Sequence, residues 1–151
     1  TAPIDPLFVD AVVDFFRVYA DRTHHGKEEL IMFRDLAQKH MSSDDRRVMD
    51  ELVAEHVFGR ESIESLVEAN NHYRRDPDKI SEVVGILKTL SDFYPKHIKK
   101  EDDVFFPNSR SYLTDEQEQS MLDEFWEFDR RMIHEKYKGV IESYENESRQ
   151  E

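Results

Sequence analysis

Apolar residues recur at helical spacing through most of the chain. Val9, Val12, Val13, Phe16 and Ala20 form a first stripe, and Met49, Leu52, Val53, Gly59, Ile63, Leu66 and Val67 a second. A third runs Ile80, Val83, Val84, Ile86, Leu87, Leu90 and Phe93, and a broader fourth runs from Met121 through Phe125, Trp126, Phe128 and Ile133 to Tyr144. Steps of three and four place such residues on one side of an α-helix. Alternation of the strand type is absent over any useful length. Local signals bracket each stripe: Asp5-Pro6 opens the first helix, expected to run to about Lys39, and Ser42 to Asp45 cap the second. Asp76-Pro77 opens the third, Pro95 is expected to kink it, and Pro107 to end it just after Phe106. Thr114-Asp-Glu-Gln117 is a capping-box pattern for the last. The class is all-α.

Histidines interrupt three of these stripes. Stepping back from His24 by 4, 8 and 11 meets Ala20, Phe16 and Val13, whereas the same steps from His25 meet Asp21, Arg17 and Asp14. In an unbroken α-helix His24 therefore faces the core and His25 faces water. His97 meets Phe93, Leu90, Ile86 and Val83, and His56 lies within the second stripe. Gly26, beside the pair, weakens a helix by roughly 1 kcal/mol relative to Ala. His72 reads as a solvated C-terminal residue, and His134 has a polar as well as an apolar flank, which favours a surface position.

The chain repeats itself at two of these histidines. His24-His-Gly-Lys-Glu28-Glu-Leu-Ile-Met-Phe33 aligns with His97-Ile-Lys-Lys-Glu101-Asp-Asp-Val-Phe-Phe106, matching His24 to His97 and Glu28 to Glu101. A histidine four residues before a carboxylate puts an imidazole nitrogen and a carboxylate oxygen on one face, one turn apart, which grips a metal ion. Two carboxylates buried near each other are costly unless protonation or a cation relieves them. The alternative is a set of buried Glu–Lys or Glu–His ion pairs, for which Lys27 and Lys100 are at hand. That alternative does not explain why both glutamates sit one turn beyond a core-facing histidine. Paired glutamates with histidines in a helical bundle suit a dinuclear iron or manganese site, with zinc as the structural option.

Composition narrows the partners. With 151 residues and a formal net charge of −13, the chain suits one domain with a real core and an acidic surface that repels nucleic acid and anionic lipid. It has no cysteine, hence no disulfide, Fe–S cluster or thiolate ligand, and no apolar run of membrane-spanning length. A cytoplasmic location is the expectation.

The pattern His24…Glu28, His56, His97…Glu101, followed by Met32-Phe33 and by Phe105-Phe106-Pro107, resembles the hemerythrin-like (HHE cation-binding) domain. The resemblance covers about Asp5 to Pro107. It implies an up-and-down antiparallel four-helix bundle with ligand-bearing helices over about 5–107 and a C-terminal helix over about 115–145. It also implies a non-haem di-iron centre, with Glu28 and Glu101 bridging and His24, His56 and His97 as terminal ligands. One feature departs from the family: no histidine precedes His24, and Leu52 stands one turn before His56 where a further ligand is usual. A helix upstream of this sequence, a contribution from His134, or a single bound metal would each account for the gap. The expected function is binding or sensing of O2 or a related small oxidant, rather than dedicated catalysis. The alternatives are peroxide or nitric oxide handling or Fe–S repair at the same centre, and a metal-free or zinc-bound interaction module. In that module the last helix, with Trp126, Phe125 and Phe128, contacts a partner or a second copy in a homodimer.

Overall fold

In the computed structural model, residues 3–148 are described, with side chains over residues 3–142. Tyr144 of the fourth stripe lies outside the described side chains. Four long helices, joined by short turns, make up the described residues, and none is long and apolar enough to cross a membrane.

Helix α1 runs from Pro6 to Leu36 in four stretches: ordinary α over Pro6–Phe15, wider π turns over Phe16–His25 and Glu28–Met32, and α again over Phe33–Leu36. Asp5 caps it by accepting from the Leu7 amide, with Pro6 in the first turn where its missing N–H costs nothing. Helix α2 is Ser43–Arg75, capped by the Ser42 side chain accepting from the Asp45 amide. Helix α3 is Ile80–Lys100, continued by a π turn over Glu101–Phe105 and a last α turn over Phe106–Ser109. Helix α4 is Asp115–Ser148, opened by a reciprocal capping box: the Gln117 amide donates to Thr114 Oγ1 at 3.2 Å, and the Thr114 amide to Gln117 Oε1 at 3.1 Å.

Three expectations need correction. Helix α1 stops at Leu36, short of Lys39, and its middle is π rather than α. The third helix passes Pro107 and ends at Ser109, because Pro107 falls in the first turn after a π segment, where the hydrogen-bond ladder is already shifted. The breadth of the fourth stripe suits a helix packed against two neighbours, and α4 is covered only in part. Phe128 and Met121 are buried, but Trp126, Ile133, Tyr137 and Ile141 are exposed.

Polar bonds fix α4 antiparallel along α1: Lys39 to Gln117, Arg34 to Glu124, Lys27 to Asp129 and Arg22 to Glu135. Lower numbers on one helix meet higher numbers on the other. Gly26 has a packing reason: a Cβ there would stand 2.9 Å from Phe128 Cζ, so the missing side chain lets the α4 ring close on α1.

The apolar core has two parts. One cluster holds Ile31, Met32, Phe33, Leu36, Val48, Met49, Leu52, Phe105, Met121 and Phe128; the other holds Val9, Val13, Ile63, Leu66, Ala69, Tyr73, Val83 and Leu90. Along α2 the two meet between Leu52 and Ile63, at His56 and Gly59. At the far end Asn70 Nδ2 ties α2 to the start of α1, donating to the Pro6 carbonyl at 3.0 Å and Asp10 Oδ1 at 2.9 Å.

Two glycine substitutions should therefore have opposite signs. Gly85 has open space around a new Cβ, so Gly85→Ala is expected to stabilise the fold by up to about 1 kcal/mol through helix propensity. Gly26→Ala brings the same propensity but drives a methyl into the buried Phe128 ring, and should lower the melting temperature. Thermal unfolding of both variants against the parent checks the pair.

Candidate metal centre

Between the two apolar clusters lies a layer of buried polar side chains. His25, Glu28, His56, His97 and Glu101 are each no more than 3% exposed, and His24 lies beside them half-buried. They come from three helices, α1, α2 and α3. Two donor groups can be distinguished, His25 with His56 and His97, and His24 with Glu28 and Glu101, each with ligand atoms within 4.8 Å of one another.

The two carboxylates straddle both groups. Glu28 places Oε1 3.5 Å from His24 Nε2 and Oε2 3.3 Å from His56 Nε2. Glu101 places Oε1 3.0 Å from His97 Nε2 and 3.7 Å from His56 Nε2, with Oε2 3.8 Å from His24 Nε2. These atoms are close but do not hydrogen-bond. Both oxygens of Glu28, Glu101 Oε1, His56 Nε2, His97 Nε2 and His25 Nδ1 are buried with no hydrogen-bond partner. Unsatisfied buried polar atoms are rare in folded proteins and each carries a desolvation penalty. His25 Nδ1 faces Asp21 Oδ1 at 3.4 Å; the other five converge on one spot, which is the chemistry of an ion site.

The outward nitrogens of two of the histidines are buttressed. His56 Nδ1 is 2.7 Å from Glu29 Oε1, which Arg60 holds at 2.5 Å; His97 Nδ1 is 2.8 Å from Glu55 Oε2, and Lys100 bonds Glu55 at 2.5 Å and Glu51 at 3.1 Å. A carboxylate on Nδ1 fixes that nitrogen as the proton carrier and leaves Nε2 as a lone-pair donor aimed inward. Lys100 is thus spent on the outer carboxylates and Lys27 on Asp129, so neither lysine neutralises Glu28 or Glu101.

Electrostatics bind the layer together. Burial pulls the His56 imidazole down, but the carboxylates of Glu101, Glu28 and Glu29 outweigh it and raise His56 to about 9. His97 is raised on balance, its burial overcome by Glu101 and Glu55, and His24 is raised by Glu101 foremost. Burial opposes ionisation of Glu101, yet its three histidine neighbours hold it well below the usual carboxylate range. His25 goes the other way: burial, then the charge of His56, lowers it to about 3, so it is neutral at pH 7.

The four residues singled out by the repeat, His24, Glu28, His97 and Glu101, and His56 from the second stripe all fall in this layer. His25 was placed facing water; it is instead stacked on His56, ring centroids 3.9 Å apart. The reason is the π geometry of Phe16–His25, which takes one more residue per turn and carries the Val9, Val13, Phe16 face to His25. Thr23 Oγ1, donating to the Val18 carbonyl five residues back, follows the same widened path. A trace of this was in the sequence: His25 and Glu29 form a second histidine–carboxylate pair one residue out of step with His24 and Glu28. Glu55 and Arg60 gave no such signal. His134 is exposed and joins neither donor group, whereas His25 stands in one of them.

Against known proteins, the sequence model of the hemerythrin HHE cation binding domain matches residues 5–109, which spans the whole donor layer and leaves α4 outside. No curated protein and no solved structure matches the chain. The match covers most of the sequence, and the chain belongs to the hemerythrin HHE cation-binding family.

Proposed function

We propose that this protein is a non-haem iron protein that holds a pair of iron ions in its histidine–glutamate layer and binds or senses O2 or a related small oxidant there. The observation that carries the reading is the convergence of five buried polar atoms without hydrogen-bond partners between two apolar clusters. Mixed imidazole and carboxylate donors, with no sulfur, suit iron, with manganese and zinc as the competing occupants. Glu28 and Glu101 would bridge, because each offers both oxygens toward two groups of histidines. His25, His56 and His97 would complete one side and His24 the other. Iron bound here would supply the electrons that a small oxidant takes up. The chain's own residues fix the imidazoles through Glu29 and Glu55 and keep bulk water from the α2 side.

The assignment makes the metal content specific. Protein produced in iron-replete medium should carry close to two irons per chain. His97→Ala and His25→Ala should each lose at least one equivalent, while His134→Ala keeps both, with helical content by circular dichroism unchanged. Full iron occupancy in His97→Ala would refute the site; zinc in its place would refute the oxidant reading.

Metal binding should also release protons. Imidazole binds metal only when neutral, and His56, raised to about 9, holds a proton at pH 7 in the metal-free protein. Apparent affinity should therefore rise with pH up to about 9, roughly tenfold per pH unit for each proton displaced. The metal-free fold has the opposite sign. The stability that protonated His56 contributes is fully present below 6.5 and is lost as pH rises to about 9. Calorimetric titrations in buffers of different ionisation enthalpy measure the proton count directly.

A second reading has its own observation. Trp126 is 68% exposed and Tyr137 65%, and Leu122, Ile133 and Ile141 share the uncovered side of α4. Exposed aromatic and aliphatic residues on one helix mark an interface, and a homodimer through α4 is its simplest form. Light scattering should then give twice the chain mass, and Trp126→Glu with Tyr137→Glu should return it to one.

A further inference from the structure

One side of the donor layer is open. His56 and His97 are backed by carboxylates, whereas His24, with its side chain 45% exposed, has no such backing and borders a cleft of ≈ 380 Å³ between α1 and α3. His97 and Glu101 also line the floor of this cleft. Its α1 wall is aromatic: Tyr19 stacks on Phe15 with centroids 5.3 Å apart, Phe15 meets Phe16 edge-on at 5.5 Å, and Phe16 stacks on Tyr94 of α3 at 4.6 Å.

Size and chemistry together select the occupant. At about 30 Å³ per water, the cleft is roughly a dozen times the volume a diatomic oxidant needs, and it falls in the range of pockets for small organic molecules. Phe15 and Tyr19 are 53% and 63% exposed, which leaves two stacked rings with an open edge beside the metal ligands. Flat rings pair with flat rings by offset stacking. Asp102 stands at the rim of an already acidic chain, which disfavours a ligand arriving with negative charge.

We infer that this cleft is a binding site for a small, neutral aromatic molecule carrying hydroxyl groups, of the phenol or catechol class. Its ring lies against Phe15 and Tyr19, and its oxygen reaches the metal side of His24 and Glu101. The inference rests on the metal assignment above and adds to it a ligand beyond O2. The aromatic wall supplies affinity; the metal supplies orientation.

The experiment uses catechol, which is neutral at pH 7 and gives a visible charge-transfer band on coordinating ferric iron, titrated into the metal-loaded chain and into the double variant Phe15→Ala, Tyr19→Ala. Metal content and light scattering are recorded first. Both residues are more than half exposed, so the variant should fold and keep its metal. Stoichiometric uptake by the parent, weakened at least tenfold in the variant at equal metal content, is the expected result. Equal affinity in both would mean chelation without the wall and would overturn the inference. So would no uptake by a parent that holds its metal. Dissociation of a dimer on the double substitution would assign the cleft to a second copy instead. A parent that takes up no metal would overturn the iron assignment, and this proposal with it, before any catechol is added.

Discussion

Two carboxylates in the middle of a helical bundle are the constraint around which this molecule is built. Glu28 and Glu101 are 3% and 2% exposed, and a charge so placed is tolerated only where opposite charge meets it. Every neighbouring feature answers that demand. Histidines from three helices converge on the pair, the apolar core divides to make room, and the nearby cations are kept for an outer ring of carboxylates. In the metal-free chain the imidazoles of His24, His56 and His97 are the counter-charges, each shifted upward by the carboxylates. A cation does the same task with more charge and no proton, so the site is arranged as a competition between the two.

The π turns follow from the same demand. They occupy equivalent places in the two halves of the repeat: Glu28–Met32 and Glu101–Phe105 begin at the matched glutamates, and in each the next amide reaches back five residues to the glutamate carbonyl. A wide turn after the carboxylate turns the following residues relative to it. Glu28 can then face the donor layer while Met32 and Phe33 still face the core, and Glu101 likewise with Phe105. The longer π stretch before Glu28 does more, turning His25 inward beside His56. Such turns are poorer helix than α and persist where side-chain placement compensates for them.

This explains which parts were legible in the sequence. Four helices and their caps follow from apolar spacing and from local hydrogen bonds at Ser42 and Thr114, which need no knowledge of the rest of the chain. The four repeat-borne donors and His56 were legible because His56, His97 and Glu101 lie on or just beyond undistorted α turns, and His24 and Glu28 are one turn apart in either geometry. His25 was misread because α periodicity was carried through a segment where it does not hold. The buttresses were hidden for another reason. Glu29, Glu55, Arg60 and Lys100 look like surface charges on their own helices, and only the approach of α1, α2 and α3 sets them on the histidines. The exposure of Trp126 was equally illegible, since an apolar stripe does not declare whether anything covers it.

Charge balance shows why one side of the layer is unbacked. The outer carboxylates Glu29 and Glu55 are matched by Arg60 and Lys100, which leaves Glu28 and Glu101 as the two negative charges turned toward the ions. One divalent ion would be neutralised by them. A pair would leave two positive charges that no further residue of the layer can balance, because the remaining donors are neutral imidazoles. With such a pair, the balance would come from outside the chain, by oxygen ligands that shed protons on arrival. Such ligands need a way in, and the half-buried His24 facing the cleft between α1 and α3 provides it. A dinuclear centre would therefore require an open face, and the cleft supplies one.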